Sequence, residues 1–437
     1  MGRLRTLVEI ALRNLWTHRR RTALLGVALA SLSALMVLFS GVLAGARSNI
    51  LRTATTLAAG HLNVGGFYKV TAGRASPVII DGPGTVALVE RALGDDLDFA
   101  TKRGRGVARL ASPSATLQAF LVGMHMEHEP GFRRLIKVKA GSVDDLAQPD
   151  SVVLFEKQAQ MLGVGVGDQL TLYAITTGGV HNTADVRVAA VAEELGLFSK
   201  WLVFLNGPTM TKLYRVNEGV TGAVYVYLKD PDRTLERDQA LLRRALADAG
   251  MGLRQAEEKP WFLKLESARR EDWTGQKLDV STWRDELGFI TWSLDALDAL
   301  ALVLSLLLGG VIAVGVMNGM WNAVRERTRE VGSLRAIGMH RIQVVWMFLL
   351  EGLWLGLASA AAGAVMAGLL AAALNAARVP LPAEVQLFLL SDTLFVQVAW
   401  PVVLRPVLLV AAVATVASIP PAFGAARLRP VIAMQRA

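Results

Sequence analysis

The sequence predicts a membrane α-helical protein: four transmembrane helices with a large α+β extracytoplasmic domain inserted between helices 1 and 2. Three observations predict it. Four long apolar runs punctuate a chain of 437 residues that is 53% hydrophobic. Some 240 residues of ordinary mixed composition separate the first run from the second. The net charge of +9 is gathered beside the runs rather than spread along the chain.

Residues 1–22 hold six arginines against one acid, Glu9, and read as an N-terminal amphipathic helix. The first run, 23–45, "ALLGVALASLSALMVLFSGVLAG", has no charge. At a rise of about 1.5 Å per residue it can cross a hydrocarbon core of about 30 Å. Arg19, Arg20 and Arg21 ahead of it, and Ala44-Gly45-Ala46 at its end, also suit a signal peptide. A signal core is typically about 7–15 residues, so the longer run is read as a retained span.

Residues 46–280 form the inserted domain. "QLTLYAI" (169–175), "ADVRVAAVA" (184–192), "WLVFLN" (201–206) and "GAVYVYLKD" (222–230) alternate as strands do. "TVALVERALG" (85–94), "EKQAQMLG" (156–163) and "RDQALLRRALADAG" (237–250) have helical periodicity, the last two closing on glycine. The pattern predicts one α+β domain or two subdomains. Residues 281–298 are amphipathic and run into the second span, 299–322, as a stalk helix. A charged loop follows at 323–342, then the third span at 343–375. Glu351 lies near the end of that span, where a carboxylate can be solvated, so it need not mark a proton path. A short loop, 376–400, leads to the fourth span, 401–421, with Arg405 near its start, and a tail, 422–437.

Charge sets the expected orientation. The 325–341 segment carries five arginines against two glutamates, and the tail carries Arg427, Arg429 and Arg436 against no acid. The 46–285 stretch is nearly balanced, with 30 basic and 28 acidic residues. Positive surplus beside span ends marks the cytoplasmic side. Both termini and the 323–342 loop are therefore placed in the cytoplasm, and the inserted domain and the 376–400 loop outside. The same distribution argues against nucleic acid as a partner, because the basic residues flank membrane spans.

No cysteine is present, so disulfides and thiolate metal sites are excluded. "GMHMEHEP" (123–130) crowds His125, Met126, His128 and two glutamates, a combination that could ligate copper or zinc. Its spacing is loose and no second cluster completes a ligand set, so it reads as a solvated loop. His61 and His181 stand alone and read as surface or structural. No hydrolase or metalloprotease motif appears, and "GVGVGD" (163–168) lacks the lysine of a phosphate-binding loop. No span has a charge near its centre, which argues against ion or proton coupling. In the third span Gly352, Gly356, Ala360, Ala364 and Gly368 recur every four residues, and Gly315 and Gly319 do so in the second. Such small stripes predict close helix packing.

"RTREVGSLRAIGMHRIQVVWMFLLEGLWLGLASAAAG" (327–363) resembles the signature of FtsX/MacB-like ABC transporter permeases, a charged R-E-V-G-x-L-R-A-x-G segment followed by a span opening on E-G. The tail "IPPAFGAARLRPVIAMQ" (419–435) is similar to the family's closing element, with Met434-Gln435 where Leu-Arg is usual. "VVLFEKQAQMLGVGVGDQLTLYA" (152–174) is similar to an element of the family's periplasmic domain. "FLVGMHMEHEPGF" (120–132) falls where the lipoprotein-releasing Lol permeases have a related motif.

The resemblance implies a multi-pass permease subunit of the bacterial inner membrane, paired with a second copy or paralogue. It implies two cytoplasmic ABC ATPase subunits on separate chains. These bind the ATP, so no cofactor or catalytic residue is expected in this chain. Such machines work by mechanotransmission, in which ATP-driven closure moves the periplasmic domains. Lol members extract lipoproteins and pass them to a periplasmic carrier; MacB members export peptides, drugs or toxins with an adaptor in a tripartite pump. FtsX itself has a much smaller external domain, and the Lol-like activity is the expectation here. Residues 328–339 are then expected to form a coupling helix on the ATPase. Val331, Leu334 and Ile337 would line its docking face with Leu334 as the buried anchor. Glu330 and Arg335 would make rim ion pairs, and Gly332 and Gly338 would allow close approach and end the helix.

Overall fold

The computed structural model describes residues 9, 13–14, 17, 19–71, 73–382, 385–386, 389–391 and 393–427. Most of the expected N-terminal helix and most of the tail, with Arg429, Met434, Gln435 and Arg436, lie outside the described residues. The chain divides into an α+β unit, 49–294 with 382–391, and a helical unit made of the remainder.

Helix α1 (Arg19–Ala54) starts in the helical unit, and its last turns belong to the α+β unit. It continues past the expected end at 45 and closes in a π-helical turn, Thr55–Ala59. Ile50, Ala54, Leu57 and Ala59 hold that extension, because all four are buried. Strands β1 (Leu62–Thr71) and β2 (Arg74–Ser76) follow, then α2 (Gly82–Leu93). Asp81 caps α2 by accepting the Gly84 N–H at 2.8 Å. Next come β3 (Leu97–Ala111), β4 (Thr116–Met124), β5 (Val138–Gly141), β6 (Ser151–Phe155) and α3 (Glu156–Leu162). Helix α3 stops at Gly163, whose φ of +65° is the left-handed value that ends helices. The unit is completed by β7 (Gln169–Ile175), β8 (His181–Ala192), β9 (Leu202–Asn206), α4 (Gly207–Tyr214), β10 (Ala223–Leu228), α5 (Pro231–Asp248), α6 (Trp261–Arg270) and β11 (Gly275–Thr282).

The strands run in the order β11-β1-β10-β3-β4-β9-β6-β8-β5, with β2 on β1 and β7 bridging β3 and β8. Strand β3 serves two halves. Its residues 97–103 pair with β10, and its residues 104–111 pair with β4. Because β7 pairs with both β3 and β8, strands β3, β4, β9, β6, β8 and β7 close into a ring. Alternate residues point inward, as the period of two requires. They fill the ring with Leu110, Leu121, Val152, Leu154, Leu172, Val186, Val203 and Leu205.

After β11 the chain makes a separate helical turn, Trp283–Glu286, and a break at Leu287 (φ −120°, ψ 35°). Helix α7 (Gly288–Glu326) begins only there. The stalk expected from 281 is thus strand at its first residues. Thr282 ends the strand by capping the turn: its N–H donates to the Asp285 carboxylate at 2.7 Å.

Helix α8 (Thr328–Ala336), α9 (Arg341–Ala377), α10 (Trp400–Ala417) and α11 (Ile419–Ala426) complete the helical unit. The break between α10 and α11 falls just before Pro420 and Pro421, which lack the N–H that continued helix would use. Among the described residues four helices are long and apolar enough to cross a membrane: Thr22–Ala59, Ile290–Glu326, Arg341–Ala377 and Trp400–Ala426. They share a core built on Leu29, Ile312, Val316, Phe348, Val410 and Ala414.

Candidate functional site

The charged segment between the second and third spans is organised by one buried ion pair. Arg327, the residue before α8, donates from Nη1 to both Glu351 carboxylate oxygens, at 3.2 and 3.1 Å. Its Nη2 reaches the Asn14 carbonyl at 3.0 Å. Both charged side chains are buried. Glu351 is therefore not solvated at a bilayer edge, as the sequence reading had it; it is the internal partner of the first arginine of the signature. Among the described residues these two are the buried ionisable side chains of the helical unit.

This pair draws the start of α8 onto α9 and decides which face is free. Val331, one turn beyond Arg327, is 1% exposed and joins the bundle core, and Gly332 is buried beside it. The expected docking stripe of Val331, Leu334 and Ile337 is accordingly split. Val331 packs inward, Leu334 is half-buried, and Ile337 is 85% exposed. The outward face instead carries Arg329, Glu330, Leu334 and Ile337, with Arg335 half-buried at its margin. The helix ends as its glycine dictates. Gly338 has φ +111°, its N–H bonds to the Arg335 carbonyl at 3.2 Å, and the Met339 N–H bonds to the Leu334 carbonyl at 3.1 Å. That double closure fixes the exposed Ile337 at a rigid corner.

The small-residue stripe of α9 packs within the chain. A Cβ on Gly352 would lie 2.2 Å from Ser418 Oγ, and one on Gly356 would lie 2.7 Å from Ala414 Cβ. Ala360 is buried, and its carbonyl accepts the Ser33 hydroxyl of α1 at 3.3 Å. Beyond it the buried positions are Gly363, Ala367 and Ala371, and Ala364 and Gly368 fall off the stripe. A helix turns about 100° per residue, so each step of four overshoots by about 40° and the strict spacing drifts away. A Cβ on Gly319 would lie 2.4 Å from Leu25 Cδ1 of α1, while one on Gly315 would meet open space.

The 123–130 segment is not the solvated loop expected. Met126 and Glu129 are buried, and Glu129 pairs with Arg103 on β3 through Nη2 to Oε2 at 2.6 Å. The two residues lie 26 apart in sequence. His125 is half-buried and His128 exposed. Among the described residues no three His, Asp or Glu side chains converge as a metal set would. His61 has a structural place: its Nδ1 accepts the Leu228 N–H at 2.9 Å, and its ring stands edge-on to Tyr227. Burial pushes its pKa below the usual histidine value. Sequence reasoning missed the Arg103–Glu129 pair. No local pattern signals it, because the same face of β3 also carries Thr101, Arg105 and Arg109.

Residues 302–430 match the FtsX-like permease C-terminal family. This range includes most of α7 and all of α8 to α11. The macrolide export ATP-binding/permease protein MacB of Aggregatibacter actinomycetemcomitans is 24% identical over 237 residues, covering 53% of this chain and 32% of that protein. The chain is an FtsX/MacB-like ABC permease. The pyoverdine export ATP-binding/permease protein PvdT of Pseudomonas syringae pv. tomato is 43% identical to this permease over 76 residues, 17% of the chain and 11% of that protein. An uncharacterized ABC transporter permease of Methanocaldococcus jannaschii is 26% identical over 227 residues, 51% of this chain and 50% of that one. The permease thus spans between about a tenth and a half of these curated relatives. Among solved structures, the periplasmic region of MacB from Actinobacillus actinomycetemcomitans aligns with a TM-score of 0.31 at 15% identity, over 47% of this chain and 89% of that one.

Proposed function

We propose that this permease is the membrane part of an ATP-driven machine working by mechanotransmission, and that it releases lipoproteins from the inner membrane as Lol permeases do. The observation that carries the ATP-driven reading is the outward face of α8. An isoleucine held almost fully exposed at a rigid helix end, next to Leu334 and flanked by Arg329 and Glu330, is a small apolar anchor with a charged rim. That is the composition of a docking knob. The relatives named as ATP-binding/permease proteins favour an ATPase as the occupant. The anchor in this reading is Ile337 with Leu334, and Glu330 and Arg335 supply rim charge worth about 0.2–1 kcal/mol each.

The 437 residues contain no phosphate-binding loop, so nucleotide is bound by an ATPase subunit dimer outside this sequence. A second permease copy would cover part of the apolar face of α7, where Leu302, Leu306 and Val314 are exposed; lipid would cover the rest. The domain at 49–294 lies on the periplasmic side, and α8 and both termini lie in the cytoplasm. The names of the pyoverdine and macrolide export relatives favour a second reading of the cargo, a MacB-like export subunit working with an adaptor.

Ile337→Asp, alone and with Leu334→Asp, should leave the protein in the membrane but abolish co-purification of its ATPase. An unchanged ATPase ratio in the double variant would remove the docking face. A cysteine placed at Asp150 should react with an impermeant thiol reagent in intact spheroplasts, and one at Ser333 only after lysis; the reverse pattern overturns the topology. Retention of lipoproteins in the inner membrane of a depleted strain supports the Lol-like cargo, and normal release with lost export of small molecules supports the other.

A further inference from the structure

Helix α1 does not fray where it enters the α+β unit. A helix end presents carbonyls that have no intrahelical partner. Here the five carbonyls of Thr55–Ala59 each receive a donor. The Gly60 N–H bonds to Thr55 O at 2.8 Å. Arg103 donates from Nη2 to Thr56 O at 2.8 Å and from Nη1 to Leu57 O at 2.9 Å. The Tyr225 hydroxyl donates to Ala58 O at 2.7 Å, and the Asn63 amide to Ala59 O at 3.3 Å.

The three side-chain donors come from β3, β10 and β1, which are adjacent in the sheet. Arg103 is completely buried, and its remaining bonds hold it in place. Nε and Nη2 grip Glu129 at 2.7 and 2.6 Å, and Tyr225 lies under the guanidinium at 4.6 Å from ring centre to Cζ. A planar fork can serve two carbonyls and both oxygens of a carboxylate at once, one acceptor more than the three donors of an ammonium can reach. Its charge also suits the negative end of a helix. Helix α7, whose first turns also belong to this unit, is attached differently. It starts after the non-helical Leu287, and nothing lies within 4 Å of a Cβ placed on Gly288.

We propose that Arg103 is a positioning residue for transport: it makes the last turns of α1 and strands β1, β10 and β3 one rigid piece, so that movement of α1 reaches the sheet through this junction. The role rests on the mechanotransmission reading.

The test uses the full chain with its ATPase in nanodiscs, and hydrogen exchange as the readout. The variant Arg103→Met with Glu129→Met removes both charges together, so that neither is left buried alone; Arg103→Lys is the conservative companion. In the double variant, exchange at residues 55–61 should rise about tenfold or more while the ring strands β6, β8 and β9 keep their protection. ATP hydrolysis and ATPase binding should persist, yet the nucleotide-dependent change in exchange of the sheet should be lost. Arg103→Lys should fall between the two. Unchanged exchange at 55–61, or a nucleotide response kept at wild-type size, overturns the proposal. So does loss of protection across the whole unit in both variants, because that is the mark of a purely structural residue. If the wild-type complex itself shows no nucleotide response, the transport reading fails first and takes this role with it.

Discussion

Two of the buried Arg–Glu pairs among the described residues, Arg103–Glu129 in the α+β unit and Arg327–Glu351 in the helical unit, do different amounts of structural work. Arg103 makes five hydrogen bonds from its three nitrogens, to both Glu129 oxygens, two helix carbonyls and the Tyr227 hydroxyl. Arg327 bonds Glu351 and the Asn14 carbonyl, and its Nε has no partner among the described residues. The first pair closes the end of a helix as well as neutralising charge. The second decides how a short helix lies on its neighbour. A buried pair by itself is weak evidence of stabilisation, because desolvation cancels much of the attraction. The lesson is to count what each guanidinium holds besides its carboxylate.

That comparison can be broken by measurement. Arg103→Met alone leaves Glu129 buried and unpaired and should cost the α+β unit about 3–5 kcal/mol. The paired change to Met at 103 and 129 should still cost about 1–3 kcal/mol for each helix carbonyl left without a donor. The matching change at 327 and 351 should lie within about 1 kcal/mol of the parent, since packing can replace the pair. Unfolding of the full chain in detergent, followed by tryptophan fluorescence and denaturant titration, distinguishes these outcomes. Equal costs for the two double variants would erase the distinction.

A second experiment asks what holds the helical unit if its ion pair adds little. Close backbone packing is the answer offered by Gly356, where a side chain would meet Ala414 and Ala411. Gly356→Leu should cost at least about 1–3 kcal/mol through overpacking, and lower the yield of assembled protein. Gly315→Leu, at a position with open space, should leave the unfolding midpoint of the chain unchanged. If both variants behave alike, the stripe is not the contact that matters.

The smallest expected effect sharpens the other side. His61 sits beside the Arg103 junction, and its pKa is lowered by burial. The unfolded chain therefore binds this proton more readily than the folded one. Stability from this group is complete above the ordinary histidine value of about 6.5 and declines as pH falls through it toward the depressed folded value. His61→Asn keeps an acceptor for the Leu228 N–H but does not titrate. Between pH 7.5 and 5.5 its melting temperature should fall less than that of the parent; parallel curves would show that His61 does not set the pH response.

Much of this architecture was legible in the sequence. The four spans declare themselves by length and lack of charge, and β7 and α3 by alternation and by Gly163. The junctions were not legible. Continuation of α1 to Ala54 depends on burial of Ile50, Ala54 and Leu57 by residues distant in the chain. The pairing of Arg103 with Glu129 depends on a sheet register that no local pattern encodes. The outward face of α8 was misjudged because periodicity shows which residues share a side but not which way that side faces. The Arg327–Glu351 pair, spanning 24 residues, turned Val331 inward.

The closed ring of β3, β4, β9, β6, β8 and β7 has a consequence for how a visitor can be received. A sheet with a vacant border invites an incoming chain to add itself as one more strand, recognised by backbone alone. A ring offers no such vacancy along its six seams. Apart from the short border that β5 leaves beside β8, whatever meets the ring must be recognised by outward-pointing side chains and by the loops at its rims. What this surface recognises can then change through surface substitutions, without disturbing the hydrogen-bonded frame beneath.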